Sequence, residues 1–391
     1  MNDPPVEPAA GSRCDGPQAI LVIGNPENRR VAMFCAAARR LGLPAPRVVA
    51  YEDVLYGGLD VRQQVPRHGL VRIESPGENE RVERALIALG AEQTPLAELP
   101  ADYVPGEIVE HGRIYFPGLW YRGFCRLLDA WQEDLAKQPI AWMNHPADIK
   151  LAFDKAGCQA MLDQQGIRVP GRLGTIGSYD ELRARMRETG HWRVFVKLSH
   201  GSSASGVVAL EAGRNRICAT TSVEIARVGG RTLLYNSLRL RRYENEREVA
   251  EVVNGLCVHG VHVEAWMPKA SLGDGTFDLR VVVIAGEVRH IVVRTSRGPI
   301  TNLHLGNRRG DLAELLRKIP GDRFAEAWDT CRRTATLFPR SLYLGMDLMF
   351  TPSFRRHAVL ELNAFGDLLP GALHCGQDTY TAELAAARGK G

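Results

Sequence analysis

The chain has 391 residues, more than one hydrophobic core usually holds, so we expect roughly two or three subdomains. Hydrophobic residues make up 45% and charged residues 24%, which is ordinary for a globular protein. The formal net charge of +4 is too close to balance to indicate a nucleic-acid partner. No apolar run approaches the ~20 residues that cross a bilayer, so we expect no membrane partner either.

Residues 1–17 are rich in proline, glycine and acidic residues, and they lack the basic and apolar regions of a signal peptide. We therefore expect a disordered tail. The eight cysteines are scattered, without a CxxC pair or the spacing of a disulfide framework. This usage is typical of reduced thiols and predicts a cytoplasmic protein.

Strand and helix patterns alternate in the segment 18–140. AILVIG predicts a buried strand, RRVAMFCAAARRLG a helix and RVVAYEDVL the next strand, which together indicate a parallel α/β layer. The GxGxxG motif of dinucleotide-binding folds is absent. Asn25, Asn28 and Arg29 could hold an anion at the helix N-terminus or simply cap the helix and remain solvated. Arg122 similarly could hold a carboxylate or lie in solvent.

The secondary-structure pattern of the sequence changes near residue 141. MNHPADIKLAFDKAGCQAMLDQQGIRVP is a capped helical segment followed by a turn. After it come RVFVKLSHGSSASGVVAL, VHGVHVEAWMPKA and FDLRVVVIAGEVRHIVVRTS, which are strand patterns joined by short turns. The second half of the chain is therefore predicted to be antiparallel α+β.

A glycine-rich loop lies between two of these strand patterns, in KLSHGSSASGVV. A Walker A loop would lead from a strand into a helix and would carry Lys-Ser or Lys-Thr at its end. Here both flanks are strand-like and Lys197 precedes the loop, which predicts a strand–loop–strand flap. Small residues let backbone N–H groups approach phosphate oxygens, and Lys197 could add a positive charge. A flexible hairpin tip with an exposed lysine is the alternative.

Two carboxylates interrupt apolar strands in YLGMDLMF and HAVLELNAF, which TPSFRR separates. Strand periodicity places Val359, Glu361 and Asn363 on one face. If the turn centres near Phe354, Asp347 pairs directly with Glu361, and like charges in that position destabilise a hairpin. A shared proton, arginine partners or a divalent cation could compensate. Mg²⁺ suits these oxygen donors, with Asn363 as a third ligand.

The order of these segments resembles the ATP-grasp superfamily, in particular the branch of glutathione synthetase and the ribosomal-protein glutamate ligases. The resemblance covers roughly residues 140–375 and ends with TNLHLGN, GMDLMF and VLELNAFGD. It implies a pre-ATP-grasp α/β domain at 18–140, followed by a two-lobed ATP-grasp domain at 141–391. The flap subdomain is expected at about 168–265 and the C-terminal metal-binding lobe at about 266–380.

The resemblance also implies roles for individual residues. Those expected to contact the nucleotide are Lys155, Lys197, Ser202, Ser203, Gly206, Glu264, Ala265, Trp266 and Lys269, where Glu264 to Trp266 form the linker whose backbone pairs with adenine. Those expected near the transferred phosphoryl group are Arg280, Arg294 and Asn302. The implied metal ligands are Asp347, Glu361 and Asn363. For Lys269 a solvated side chain is an equal alternative.

The implied activity is that of an ADP-forming ligase, which joins a carboxylate to an amine through an acyl phosphate. The expected cofactors are ATP and Mg²⁺, with two ions bound and Mn²⁺ able to substitute. The expected partners are a small-molecule or peptide substrate and a second copy in a homodimer, since dimers are common in the superfamily. A weakly catalytic nucleotide-binding module and a small-molecule kinase are the alternatives. NLHLGNRRG departs from related ligases, so the role of the 298–311 loop stays open.

Overall fold

The computed structural model describes residues 19–201, 204–213, 216–366 and 369–388. Its strands form three sheets, of which the first is parallel and the other two are antiparallel. The predicted order of a parallel α/β layer followed by antiparallel α+β structure is thus confirmed. No helix in these residues is long and apolar enough to span a membrane.

The first sheet has four parallel strands in the order β2-β1-β3-β4. Its strands are β1 (Ile20–Gly24), β2 (Arg47–Ala50), β3 (Leu70–Ile73) and β4 (Ala141–Trp142). Its helices are α1 (Arg29–Arg40), α2 (Tyr51–Leu55), α3 (Glu80–Glu92) and α4 (Pro117–Leu135). The short strand β4 pairs with β3 and so belongs to this sheet, although it follows residue 140 in the chain.

Helices α3 and α4 pack at unusually close range through two glycines. A Cβ atom added to Gly90 would lie 1.9 Å from the carbonyl oxygen of Leu119, and one added to Gly123 would lie 1.9 Å from that of Leu86. Any side chain at either position would therefore force the helices apart.

The second sheet has the order β5-β10-β6-β7-β8-β9. Its strands are β5 (Arg172–Ile176), β6 (Arg193–Leu198), β7 (Val208–Ala212), β8 (Ile217–Val228), β9 (Arg231–Tyr243) and β10 (Val261–Ala265). The sheet begins at Arg172 and ends at Ala265. The helices that pack against this sheet are α7 (Tyr179–Thr189) and α8 (Glu246–Cys257). The two helices that precede it, α5 (Pro146–Phe153) and α6 (Lys155–Gln164), pack instead against the third sheet.

The third sheet has the order β14-β13-β12-β15-β16, and β11 pairs with β12 beside this path. Its strands are β11 (Ser271–Leu272), β12 (Gly275–Ile284), β13 (Glu287–Ser296), β14 (Arg308–Arg309), β15 (Tyr343–Phe350) and β16 (His357–Asn363). Its helices are α9 (Leu312–Lys318), α10 (Gly321–Thr336) and α11 (Thr379–Arg388). One hydrophobic core joins this sheet to the first, because buried side chains of β1 and β3 belong to the same cluster as those of β12 and β15.

A fully buried arginine ties α11 to the first sheet. Arg72 of β3 donates from Nε to Glu74 Oε1 and from Nη1 to Glu383 Oε2, each at 2.6 Å. Its guanidinium group also lies 4.3 Å from the ring centroid of Phe34. Burial raises the pKa of Glu383 to about 7, against the opposing effect of Arg72. The C-terminal helix is therefore held by a charge cluster that is sensitive to pH near neutrality.

Candidate active site

The predicted flap has the expected strand–loop–strand form, because β6 and β7 pair antiparallel on either side of the glycine-rich loop. Lys197 lies in β6, just before the loop. Gly206 has a φ of +63°, and a Cβ atom there would lie 2.4 Å from Leu198 Cδ1, so this turn requires glycine. Ser202 and Ser203, the residues predicted to cover the phosphates, lie outside the described residues.

The carboxylate hairpin has the predicted register. Asp347 of β15 pairs with Glu361 of β16, and the six residues TPSFRR connect the strands. The register then shifts, so that Leu348 pairs with Val359 and Leu360 is the extra residue of a β-bulge. Val359 and Leu362 are consequently both buried in the main core. The prediction that Val359 shares a face with Glu361 is wrong, because the bulge interrupts the alternation between them.

Basic side chains surround both carboxylates. Arg280, directly across from Asp347 on the neighbouring strand, donates to Asp347 through Nε, and Arg294 Nη2 lies 2.9 Å from Asp347 Oδ2. Lys155, the first residue of α6, forms an ion pair with Glu361. Burial opposes the charge of Asp347, but the two arginines outweigh it and lower the pKa of this carboxyl. Basic side chains, one of the three predicted compensations, therefore neutralise both carboxylates in this structure.

The predicted metal ligands fit a hard cation. Asn363 lies two residues after Glu361 in β16. Its Nδ2 is buried and has no hydrogen-bond partner among the described residues. Because the O and N of an amide are interchangeable at assignment, its oxygen can occupy that position instead. With Asp347 and Glu361 it supplies the oxygen donors that Mg²⁺ prefers. No group of three or more His, Cys, Asp or Glu in the described ranges forms a metal site of its own.

A second buried ion pair lies in the middle sheet. Lys197 Nζ donates to Glu264 Oε2 at 2.6 Å, and His262 Nε2 lies 3.0 Å from Glu264 Oε1. Burial opposes the charge of Lys197, but Glu264 and Glu361 outweigh it and raise the pKa of the lysine. Glu264 therefore keeps Lys197 charged and oriented. His262 was not among the predicted site residues, although its position two residues before Glu264 places both on one strand face.

In the linker predicted to pair with adenine, two backbone N–H groups already donate hydrogen bonds within the protein. The N–H of Ala265 donates to the carbonyl of Gly171 at 2.7 Å, and that of Trp266 donates to Arg193 at 3.0 Å. Neither N–H is free for a base. The predicted pairing with adenine is therefore restricted to carbonyl oxygens of this segment and to groups that follow Trp266.

Asp278 joins two predicted residues into one buried network. Its Oδ2 accepts from Lys269 Nζ at 2.8 Å, and its Oδ1 accepts from Arg294 Nε at 2.7 Å. Lys269 also contacts Thr301 Oγ1 at 2.8 Å. The alternative of a solvated Lys269 is thus wrong, and burial lowers the pKa of this lysine against the pull of Asp278. Asp278 could have been found from the sequence, since it shares a strand face with Arg280 in FDLR.

Asn302 has a local structural role. Its Oδ1 accepts from the N–H of His304 at 2.9 Å and caps a short 3₁₀ turn at Leu303–Leu305. Its carbonyl accepts from Asn307 Nδ2 at 2.8 Å. The neighbouring Thr301 contacts the charge network, whereas the predicted role of Asn302 near the phosphoryl group stays a prediction.

Asn25, Asn28 and Arg122, for which the sequence left a ligand-binding role open, make structural contacts. Asn28 caps α1 by accepting from the N–H of Arg30 at 2.9 Å. Asn25 is buried, and its Nδ2 donates to the carbonyls of Pro76 and Gly77. Arg122 donates to Thr94 Oγ1 at 2.9 Å, which links α4 to the end of α3.

Comparison with known proteins gives structural matches only, because no family model and no curated protein sequence matches the chain. The ATP-grasp ligase PsnB, solved with a minimal precursor, Mg and ADP, matches with a TM-score of 0.52 and 18% identity, covering 95% of this chain and 99% of PsnB. The macrocyclase MdnC from Microcystis aeruginosa MRC, bound to its precursor peptide MdnA, matches with a TM-score of 0.51 and 13% identity over 95% and 100%. The D-cycloserine synthetase DcsG matches with a TM-score of 0.55 and 12% identity over 95% and 99%. Together with the flap and the carboxylate hairpin, these matches show that the chain has the fold of the ATP-grasp ligases.

Proposed function

We propose that this protein is an ATP-dependent ligase that joins a carboxylate to an amine through an acyl phosphate. One observation carries the proposal. Four basic side chains and two carboxylates converge on one site of an ATP-grasp fold: Lys155, Lys197, Arg280, Arg294, Asp347 and Glu361. Such a site concentrates the charges that bind and neutralise a polyphosphate.

The reaction has two steps. A carboxylate oxygen of the substrate first attacks the γ-phosphorus of ATP, and the bond from that phosphorus to the bridging oxygen breaks, which releases ADP. An amine nitrogen then attacks the acyl carbon and expels inorganic phosphate, and the nitrogen loses a proton to give the amide. Neither step needs a covalent enzyme intermediate, so positioning and charge neutralisation are the main contributions of the protein.

The ion pairs around Asp347 and Glu361 would be exchanged when the nucleotide binds. Phosphate oxygens would then take Lys155, Lys197 and the two arginines as partners. The carboxylates, freed from those side chains, would hold Mg²⁺ together with Asn363, and the bound cation would neutralise charge on the transferred phosphoryl group. The arginines would remain close to the phosphoryl group because β12 and β13 hold them beside Asp347.

The names of the structural relatives support a choice of substrate class. PsnB was also solved with the precursor peptide PsnA2 and MdnC with the precursor peptide MdnA, whereas DcsG is named a D-cycloserine synthetase. We therefore propose a peptide or a small amino-acid-like compound as the carboxylate or amine substrate. A screen of amino acids and peptides with ADP release as the readout would identify it.

The proposal is tested by ADP release from Mg²⁺–ATP in the presence of an acid and an amine. Asp347→Asn and Glu361→Gln should each lower kcat by at least ~100-fold, since each removes a proposed metal ligand and charge partner. The matched control is Asp274→Asn, which changes an exposed carboxylate of the same sheet region and should leave turnover unchanged. Full turnover in either site variant would refute the mechanism. A phosphoester product would indicate a kinase, and ATP-dependent thermal stabilisation without turnover would indicate a binding module.

A further inference from the structure

A pocket lies between α6, β16 and the pair of strands β6 and β10. It combines apolar walls with charged side chains at its lining. The apolar contributors include Ala152, Cys158, Leu162, Val169 and Leu362, and the charged ones are Lys155, Lys197, Glu264 and Glu361. A flat heteroaromatic base has apolar faces and a polar edge, so a pocket of this composition beside two lysines suits the base of a nucleotide whose phosphates meet those lysines.

One polar side-chain atom at this pocket has no hydrogen-bond partner among the described residues. Gln159 of α6 is only 6% exposed and lines the pocket. Its Nε2 lies 3.4 Å from the carbonyl oxygen of Pro170. Because a carbonyl can only accept, the amide nitrogen must face Pro170, and this assigns Oε1 to the other side. Oε1 is buried without a hydrogen-bond partner in the described part of the chain.

A buried acceptor without a donor is costly, so a ligand that supplies a donor gains from filling it. Adenine carries an exocyclic amino group, which is such a donor. Hypoxanthine carries a carbonyl oxygen at the same ring position, which would face Oε1 as a second acceptor. The asymmetry favours an amino-bearing base over an oxo-bearing one.

We propose that Gln159 accepts a hydrogen bond from the exocyclic amino group of adenine and thereby selects ATP over nucleotides that lack this group. The proposal rests on the proposed function, since it takes the nucleotide to bind beside Lys155 and Lys197. It adds a specificity-determining residue on α6, separate from the linker whose N–H groups at Ala265 and Trp266 are already used.

The test measures Kd for ATP, purine riboside 5′-triphosphate and ITP by titration calorimetry in the presence of Mg²⁺. Purine riboside triphosphate carries a hydrogen in place of the amino group and is therefore the cleanest comparison. The unmodified protein should bind ATP about tenfold more tightly than either analogue. In Gln159→Leu this preference should fall to about threefold or less, with most of the loss in ATP affinity.

The matched control is Gln164→Leu, the same substitution at an exposed position of the same helix, which should keep the full preference. An unmodified protein without preference for ATP, or a Gln159→Leu protein that retains the preference, would overturn the proposal. If Gln159→Leu does not fold, Gln159→Met removes the same acceptor from an unbranched side chain of similar length and gives the same comparison. A protein that binds no nucleotide refutes both this proposal and the proposed function, whereas ATP preference without ligase turnover refutes only the latter.

Discussion

Glu264→Gln is the sharpest test of the electrostatics of the site. The substitution keeps the size of the side chain but removes the charge that pairs with Lys197 at 2.6 Å. It leaves the lysine buried without a counter-charge from this position, next to His262. Removing one partner of a buried ion pair costs more than the pair itself contributes, because the other charge remains desolvated.

The magnitude follows from the pKa of the carboxyl group. Burial opposes the charge of Glu264, but Lys197 and His262 outweigh burial and lower the pKa from 4.5 to about 2. At about 1.4 kcal/mol for each pKa unit, this difference corresponds to roughly 3 kcal/mol. The raised pKa of Lys197 arises from the same ion pair, so the two pKa shifts describe a single contribution to the free energy of unfolding. Because the folded pKa is the lower one, the stabilisation is complete above pH 4.5 and is lost as the pH falls towards 2.

The assay is urea denaturation followed by tryptophan fluorescence at two pH values. Glu264→Gln should lower the free energy of unfolding by about 3 kcal/mol at pH 7 and by roughly 2 kcal/mol at about pH 3.5. The control Glu287→Gln removes an exposed partner of Arg332 and should change the free energy by less than ~0.5 kcal/mol. Equal effects of the two variants at pH 7, or a Glu264→Gln effect that is independent of pH, would mean that the charge of Glu264 does not stabilise the fold.

Two further predictions concern stability. Gly123→Ala should lower the free energy of unfolding by about 2–3 kcal/mol, because the new Cβ would clash with the Leu86 carbonyl oxygen. The control Gly118→Ala, on the same helix, places its Cβ where nothing lies within 4 Å and should leave the free energy unchanged. Equal urea midpoints for the two variants would mean that α3 and α4 can move apart without cost. Burial raises the pKa of Glu383 from 4.5 to about 7. Its contribution to the free energy of unfolding is therefore complete below pH 4.5 and is lost as the pH rises to 7. Glu383→Gln should therefore gain up to about 3 kcal/mol relative to the unmodified protein between about pH 4.5 and 8, and a constant difference would contradict the charge cluster around Arg72.

The carboxylate hairpin and the flap could be predicted because they depend on short-range periodicity. The loop TPSFRR and the alternation of its two strands were sufficient to pair Asp347 with Glu361. The flap was predictable for a similar reason, since strand-like flanks and a preceding lysine distinguish it from a Walker A loop. The bulge at Leu360 was not predictable, because no residue in VLELN marks an inserted position.

Local sequence patterns were enough to predict the order of the elements, the kind of sheet that each half forms and the carboxylates that face each other across the final hairpin. They did not indicate which charges neutralise one another. Arg280 and Arg294 reach Asp347 from β12 and β13, and Lys155 reaches Glu361 from α6. Such contacts join residues far apart in the chain, so they depend on the order and register of strands in the sheet, which local periodicity does not encode. Two carboxylates can therefore lie inside the apolar strands β15 and β16 because basic side chains from β12, β13 and α6 neutralise them.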